Sequence, residues 1–130
     1  MEAKRERIYV GIDKHEKSIM VQMAEGKENP VHREFGMEPE DQKRFRQWVT
    51  RYAGTRPIVA AFEASFDGCW YARELKGWGW ECHILAPHAL DQSPKRQKQK
   101  CDAKDAERVL EAMRNHYLAG SKLRVCWQPE

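Results

Sequence analysis

Apolar and polar residues alternate from Arg7 to Asp13, so that Ile8, Val10 and Ile12 fall opposite Tyr9, Gly11 and Asp13. A period of two is that of an extended strand, and it predicts that Asp13 closes the strand on the face away from the isoleucines. Lys14 to Lys17 then make a polar turn, and Ser18 to Ala24 form a second strand that is the natural hairpin partner of the first. A turn over Glu25 to Pro30, carrying Gly26, Asn29 and Pro30, leads to a third strand at Val31 to Phe35, edge-like, with Val31, Arg33 and Phe35 opposite His32 and Glu34. Three antiparallel strands in succession are the expected result.

From Pro39 the period changes. Phe45, Trp48, Val49 and Tyr52 recur at helical spacing, with Pro39 suited to the first turn and Gly54 to the C-terminal cap. Pro57 to Phe62 is apolar on both faces, which predicts a strand covered on both sides, and Glu63 closes it. A second helix, capped by Ser65 or Asp67, runs through Trp70, Tyr71 and Leu75 to Gly77, and Trp80 to Ala86 is a further strand stopped by Pro87. After a basic loop, Ala106, Leu110, Met113 and Tyr117 mark the core stripe of a last helix that Gly120 ends. Three antiparallel strands followed by two right-handed crossovers give one mixed sheet with helices on its faces. That order resembles the α/β ribonuclease-H-like fold, and the resemblance implies a five-stranded sheet in the order 3-2-1-4-5.

The 130 residues make a single domain, long enough to bury roughly two-thirds of the surface its unfolded chain exposes. A third of them are charged, yet the net charge is only +3, so the overall balance does not announce a nucleic-acid partner. The distribution says more: Lys95, Arg96, Lys98, Lys100 and Lys104 crowd one stretch that holds a single acid, Asp102. The four cysteines, Cys69, Cys82, Cys101 and Cys126, have no zinc-site spacing and read as reduced thiols, which points to the cytoplasm. The start lacks a signal-peptide core, and no apolar run is long enough to span a bilayer. The tail from Leu123 to Glu130 reads as extended and apolar, so residues 1–130 are expected to be the N-terminal part of a longer protein.

Asp102 and Asp105, three residues apart at a helix start, lie one above the other on one face. The helix dipole favours negative charge there, and an acidic first turn balanced by surface lysines accounts for the same residues. The cations just ahead of them suggest instead that a phosphate backbone is brought up to the carboxylates. In the expected sheet, Asp13 and Glu63 end parallel central neighbours, at the strand ends where open α/β sheets bind ligands. Four carboxylates so close raise one another's pKa unless a divalent cation compensates. Mg2+ takes oxygen ligands and leaves positions for water and phosphate, and two ions about 3.5–4 Å apart can assist an in-line displacement at phosphorus.

Gly11-Ile12-Asp13 with His15 and Lys17-Ser18, Phe62-Glu63-Ala64-Ser65-Phe66-Asp67-Gly68, and Lys100-Cys101-Asp102-Ala103-Lys104-Asp105-Ala106 together resemble the N-terminal RuvC-like domain of the IS-one-ten family of insertion-sequence transposases. The resemblance runs from about Tyr9 to Glu130, and its acids appear in the order Asp, Glu, Asp, Asp. It implies a DNA transposase or recombinase in which Asp13, Glu63, Asp102 and Asp105 coordinate Mg2+, with Mn2+ as a substitute. It implies donor and target DNA, a structured guide (bridge) RNA in the members that use one, and a homo-oligomer as partners. It also implies a separate C-terminal domain whose serine attacks the DNA, without which the chain should not recombine DNA. Cys101, where the family usually has threonine, and Lys14 and Glu16 around His15 depart from the pattern without touching a proposed ligand.

Two rival readings use the same residues: a stand-alone resolvase-type nuclease, and a nucleic-acid-binding or assembly module whose carboxylates do no chemistry. His15 has the position to move a proton or touch phosphate, although a turn histidine usually faces water. Of the tryptophans, Trp48 and Trp80 are expected to pack, and Trp78 and Trp127 to belong to an interface.

Overall fold

In a computed structural model, residues 7–26, 28–64, 68–86, 102–122 and 125 are described, with 102–105 described as backbone. Strands β1 (Ile8–Lys14), β2 (Ser18–Glu25) and β3 (Val31–Gly36) form an antiparallel meander. Helix α1 (Pro39–Ala53), strand β4 (Ile58–Glu63), helix α2 (Gly68–Gly77), strand β5 (Glu81–Leu85) and helix α3 (Asp102–Ala119) follow. The strands make one five-stranded sheet in the order β3-β2-β1-β4-β5, with β4 parallel to both β1 and β5. The expected fold and strand order are therefore present, and each expected element lies within a residue or two of its forecast ends where these are described. The proposed caps Ser65 and Asp67 lie outside the described residues.

Alternation along the central strands divides the core into two layers. Ile8, Val10 and Ile12 of β1, with Ala60 and Phe62 of β4, face a layer closed by Phe45 and Val49 of α1 and by Tyr71, Ala72 and Leu75 of α2. The opposite face carries Tyr9 of β1, Val59 and Ala61 of β4 and Leu85 of β5 against Val109, Leu110 and Met113 of α3. Both faces of β1 are thus covered, and Tyr9 is buried as fully as the isoleucines, because α3 lies on what its sequence presents as the more polar side.

Helix α1 begins at Pro39, with Glu40 and Asp41 in a first turn whose dipole they complement. It ends at Gly54, whose φ of 64° is easily reached without a Cβ and whose N–H closes on the Thr50 carbonyl. At β3 only Phe35 is buried, while Val31 is exposed although alternation predicts it on the same face. An edge strand that outruns its covering helix leaves such a residue to water. Trp80 packs as expected. Trp78, expected at an interface, lies half-buried on the α1 layer, edge-on to Trp80 at 5.0 Å and capped by the Arg46 guanidinium. After α3 the chain returns to the sheet, where Val125 bridges Leu85 in antiparallel sense. No helix among the described residues is long and apolar enough to cross a membrane.

Candidate functional site

The register of β1 and β4 pairs Gly11 with Ala61 and Ile12 with Phe62, so Asp13 and Glu63 follow as neighbours at the carboxyl ends of two parallel central strands. Ile12 and Phe62 face the α1–α2 layer, so alternation puts Asp13 and Glu63 on the opposite face, under α3. Just beyond Glu63, the Ala64 amide donates to the Leu85 carbonyl at 2.8 Å and ties that strand end to β5.

Helix α3 reaches this edge because of one small residue. A Cβ on Gly11 would stand 2.6 Å from the Ala106 carbonyl oxygen and 2.7 Å from the Leu110 nitrogen, so the helix backbone rests on the bare strand. Toward the other end of β1, Tyr9 packs on Tyr117 at 5.7 Å and the Arg7 guanidinium covers the Tyr117 ring at 4.8 Å. Moving up the strand from Tyr9 to Gly11 therefore means moving down the helix from Tyr117 to Ala106. The two run antiparallel, and the first turn of α3, which carries Asp102 and Asp105, starts toward the Asp13 end.

Asp13 is largely buried and accepts a hydrogen bond from the His15 Nε2 at 2.7 Å, two residues along the same strand end. The His15 amide in turn donates to the Ser18 carbonyl at 2.8 Å, closing the β1–β2 turn that fixes the pair. Water exposure is the ordinary expectation for a turn histidine, and His15 stays partly exposed while its ring engages Asp13. An Asp-x-His spacing at a strand end, which puts both side chains on one face, was the available signal.

On the far side of the sheet, the Lys14 ammonium sits 5.5 Å from the centre of the Tyr71 ring, which also packs edge-on against Phe62. The Tyr71 hydroxyl donates to the Gln42 Oε1 at 2.7 Å, and the Gln42 amide donates to the Gly36 carbonyl at 2.8 Å. Burial pushes the Tyr71 phenol well above its usual range, so it stays protonated and donating.

Among the described residues, no three His, Cys, Asp or Glu side chains come together in a way that could hold a metal ion. The side chains of Asp102, Lys104 and Asp105 lie outside the described residues, as do Lys95, Arg96, Lys98, Lys100 and Trp127 entirely. The backbone sets Asp13 and Glu63 side by side and points the first turn of α3 toward that strand end.

No protein-family model matches this sequence, and no curated protein matches it. The chain is similar to the solved structure of Thermus thermophilus RuvC, with a TM-score of 0.55 and 14% identity over 92% of this chain and 99% of that one. Strand order, two-sided covering of the sheet and that likeness together make this an α/β chain of RuvC-like, ribonuclease-H-like fold.

Proposed function

We propose that this chain is the catalytic domain of a metal-dependent DNA transposase or recombinase of the IS-one-ten type, with Asp13, Glu63, Asp102 and Asp105 as the ligands of Mg2+. The observation that carries the reading is the seat of α3 on Gly11, which directs the helix's first turn toward the edge where Asp13 and Glu63 share a face. The donor set fits the ion, because carboxylate oxygens are the hard ligands that Mg2+ or Mn2+ prefers. When bound, the metal supplies charge stabilisation at a phosphodiester and helps to activate the attacking oxygen.

The chain's own residues perform the rest. His15 orients the Asp13 carboxylate, and the cations Lys95, Arg96, Lys98, Lys100 and Lys104 draw in the phosphate backbone. In this reading donor and target DNA, a guide RNA and further copies of the protein are partners, and a serine on another domain completes the reaction.

Titration of the chain with Mg2+ or Mn2+, followed calorimetrically, tests the ligand set. Glu63→Ala and Asp102→Ala should each weaken binding at least tenfold; unchanged affinity in both would leave a module without metal chemistry. A second reading, a self-sufficient resolvase-type nuclease, is favoured by the extent of the likeness, since the match takes in 99% of the RuvC chain. Metal-dependent cutting of branched DNA by this chain alone selects that reading, whereas binding without cutting selects the first.

A further inference from the structure

Trp70 is 56% exposed, more than any other large hydrophobic side chain among the described residues. Exposure is not the rule for tryptophan in this chain: Trp48, Trp78 and Trp80 all pack into or against the α1–α2 layer. Nor is the Trp70 ring loosely held. It stacks at 6.2 Å and 30° on Tyr71, which is buried, hydrogen-bonded to Gln42 and wedged between Phe62 and the Lys14 ammonium. Lys14 and Phe62 are the chain neighbours of Asp13 and Glu63, so Trp70 stands at the same strand ends as the carboxylates, across the sheet from them.

We infer that Trp70 is a stacking platform for an unpaired nucleobase of a nucleic acid seated at the carboxylate edge. The inference rests on the proposed function and adds a contact to it. The same helix offers a backbone contact beside the ring. Arg73, one helical turn along α2, is exposed and holds no ion pair among the described residues, with Glu74 next to it. A fixed aromatic face with a cation one turn away offers a base its π-surface and a backbone its counter-charge. Within a continuous duplex the base faces are covered by their neighbours, so the platform is specific for single-stranded, looped or branched segments.

The test uses the whole chain and a fluorescein-labelled short oligothymidylate beside a continuous duplex of equal length, at low salt. Anisotropy gives affinity and intrinsic tryptophan fluorescence reports stacking. The wild type is expected to bind the single strand with quenching. Trp70→Ala should lose much of that quenching and bind roughly 5- to 150-fold more weakly, the range for loss of one base–aromatic stack. Trp70→Phe should recover most of the affinity, and duplex affinity should change little in either variant. The salt slope should stay the same, because stacking releases no counterions. If the wild type binds the single strand but Trp70→Ala binds it equally well, the platform is refuted and the carboxylate reading stands. If Trp70→Ala abolishes self-association while leaving DNA affinity intact, the face belongs to a second copy and the platform is again refuted. If the wild type binds neither probe, the nucleic-acid reading and the platform fall together.

Discussion

Replacing Gly11 by alanine is the sharpest perturbation available, because the atoms it would strike are backbone and cannot rotate away. The new methyl would lie 2.6 Å from the Ala106 carbonyl oxygen, 2.7 Å from the Leu110 nitrogen and 3.0 Å from the Leu110 Cα, where ordinary contact begins near 3.4 Å. Relief requires α3 to lift from β1 by about 0.8 Å, and a radial gap of that size forfeits a quarter to a half of each dispersion contact beneath it. The contacts at stake are those of Tyr9, Val109, Leu110 and Met113, all buried. Overpacking costs of about 1–3 kcal/mol are typical, and loss of glycine's unfolded-state freedom offsets up to about 1 kcal/mol. The expected net loss is about 2 kcal/mol. For a domain of this size that lowers the urea midpoint by roughly 1–2 M. Gly77→Ala is the control, since its Cβ would meet nothing within 4 Å and its backbone is not left-handed; it should be neutral or slightly stabilising. Equal midpoints for the two variants, measured by circular dichroism, would refute the seating of α3 on Gly11 and with it the delivery of the helix's first turn.

Two further outcomes follow from polar and sulfur groups away from the carboxylates. At the amino end of β5, the Tyr117 hydroxyl donates to Glu81, and the His83 Nε2 lies 2.8 Å from that hydroxyl and 3.0 Å from the Glu81 carboxylate. Burial holds His83 below its usual pKa against the pull of Glu81; burial opposes ionisation of Glu81 too, but the Tyr117 hydroxyl and His83 outweigh it and hold Glu81 below its own. The unfolded chain therefore takes up protons first at both positions. Stability should be full above about pH 7, decline through the histidine range near 6.5 and decline again below about pH 4.5. Urea melts across pH check this, and Tyr117→Phe should flatten the lower limb while costing about 1 kcal/mol at neutral pH. The free thiols separate by burial: the Cys82 thiol is pushed up to about 12, whereas Cys69 is exposed. In a background with Cys101→Ser and Cys126→Ser, a thiol reagent at pH 8 should modify one cysteine in the native state and the second only after denaturation. Rapid native labelling of both would contradict the packing of β5.

Periodicity carried most of the fold, for physical reasons that also mark its limits. The change from period two to 3.6 at Pro39 and the two-sided apolar run before Glu63 specify the meander and the crossovers almost residue for residue. Alternation is blind to covering, however. Tyr9 and Gly11 occupy what reads as the weaker face of β1, and only the missing side chain at Gly11 hints that a helix backbone lies there. The same blindness hides the exposure of Val31, where the covering layer has run out, and of Trp70, which shares a helix with buried Tyr71 and Leu75 but points off the stripe. For the candidate site, the strand-end acids were legible as residues after apolar runs. The hydrogen bond from His15 to Asp13 had only the Asp-x-His spacing as its signal, because it is the tight β1–β2 turn rather than composition that closes it.

Helix α3 is held at both ends of its span on the sheet, and the two attachments should have separable consequences. Tyr117 and the turn at 102–105 lie on the order of 20 Å apart along the axis at 1.5 Å per residue, whereas Ala106, on the Gly11 seat, is within one turn of Asp102 and Asp105. Removing the far hydroxyl bonds to Glu81 and His83 with Tyr117→Phe should loosen the last turns of the helix and leave its first turn where packing put it. Lifting the seat with Gly11→Ala displaces the first turn directly. If that turn supplies metal ligands, Gly11→Ala should weaken Mn2+ binding several-fold more than Tyr117→Phe does, even after each is compared at a temperature where both variants are fully folded. Equal affinities would mean that ligand geometry does not depend on how α3 meets β1. The acids of its first turn would then belong to the helix dipole rather than to a metal.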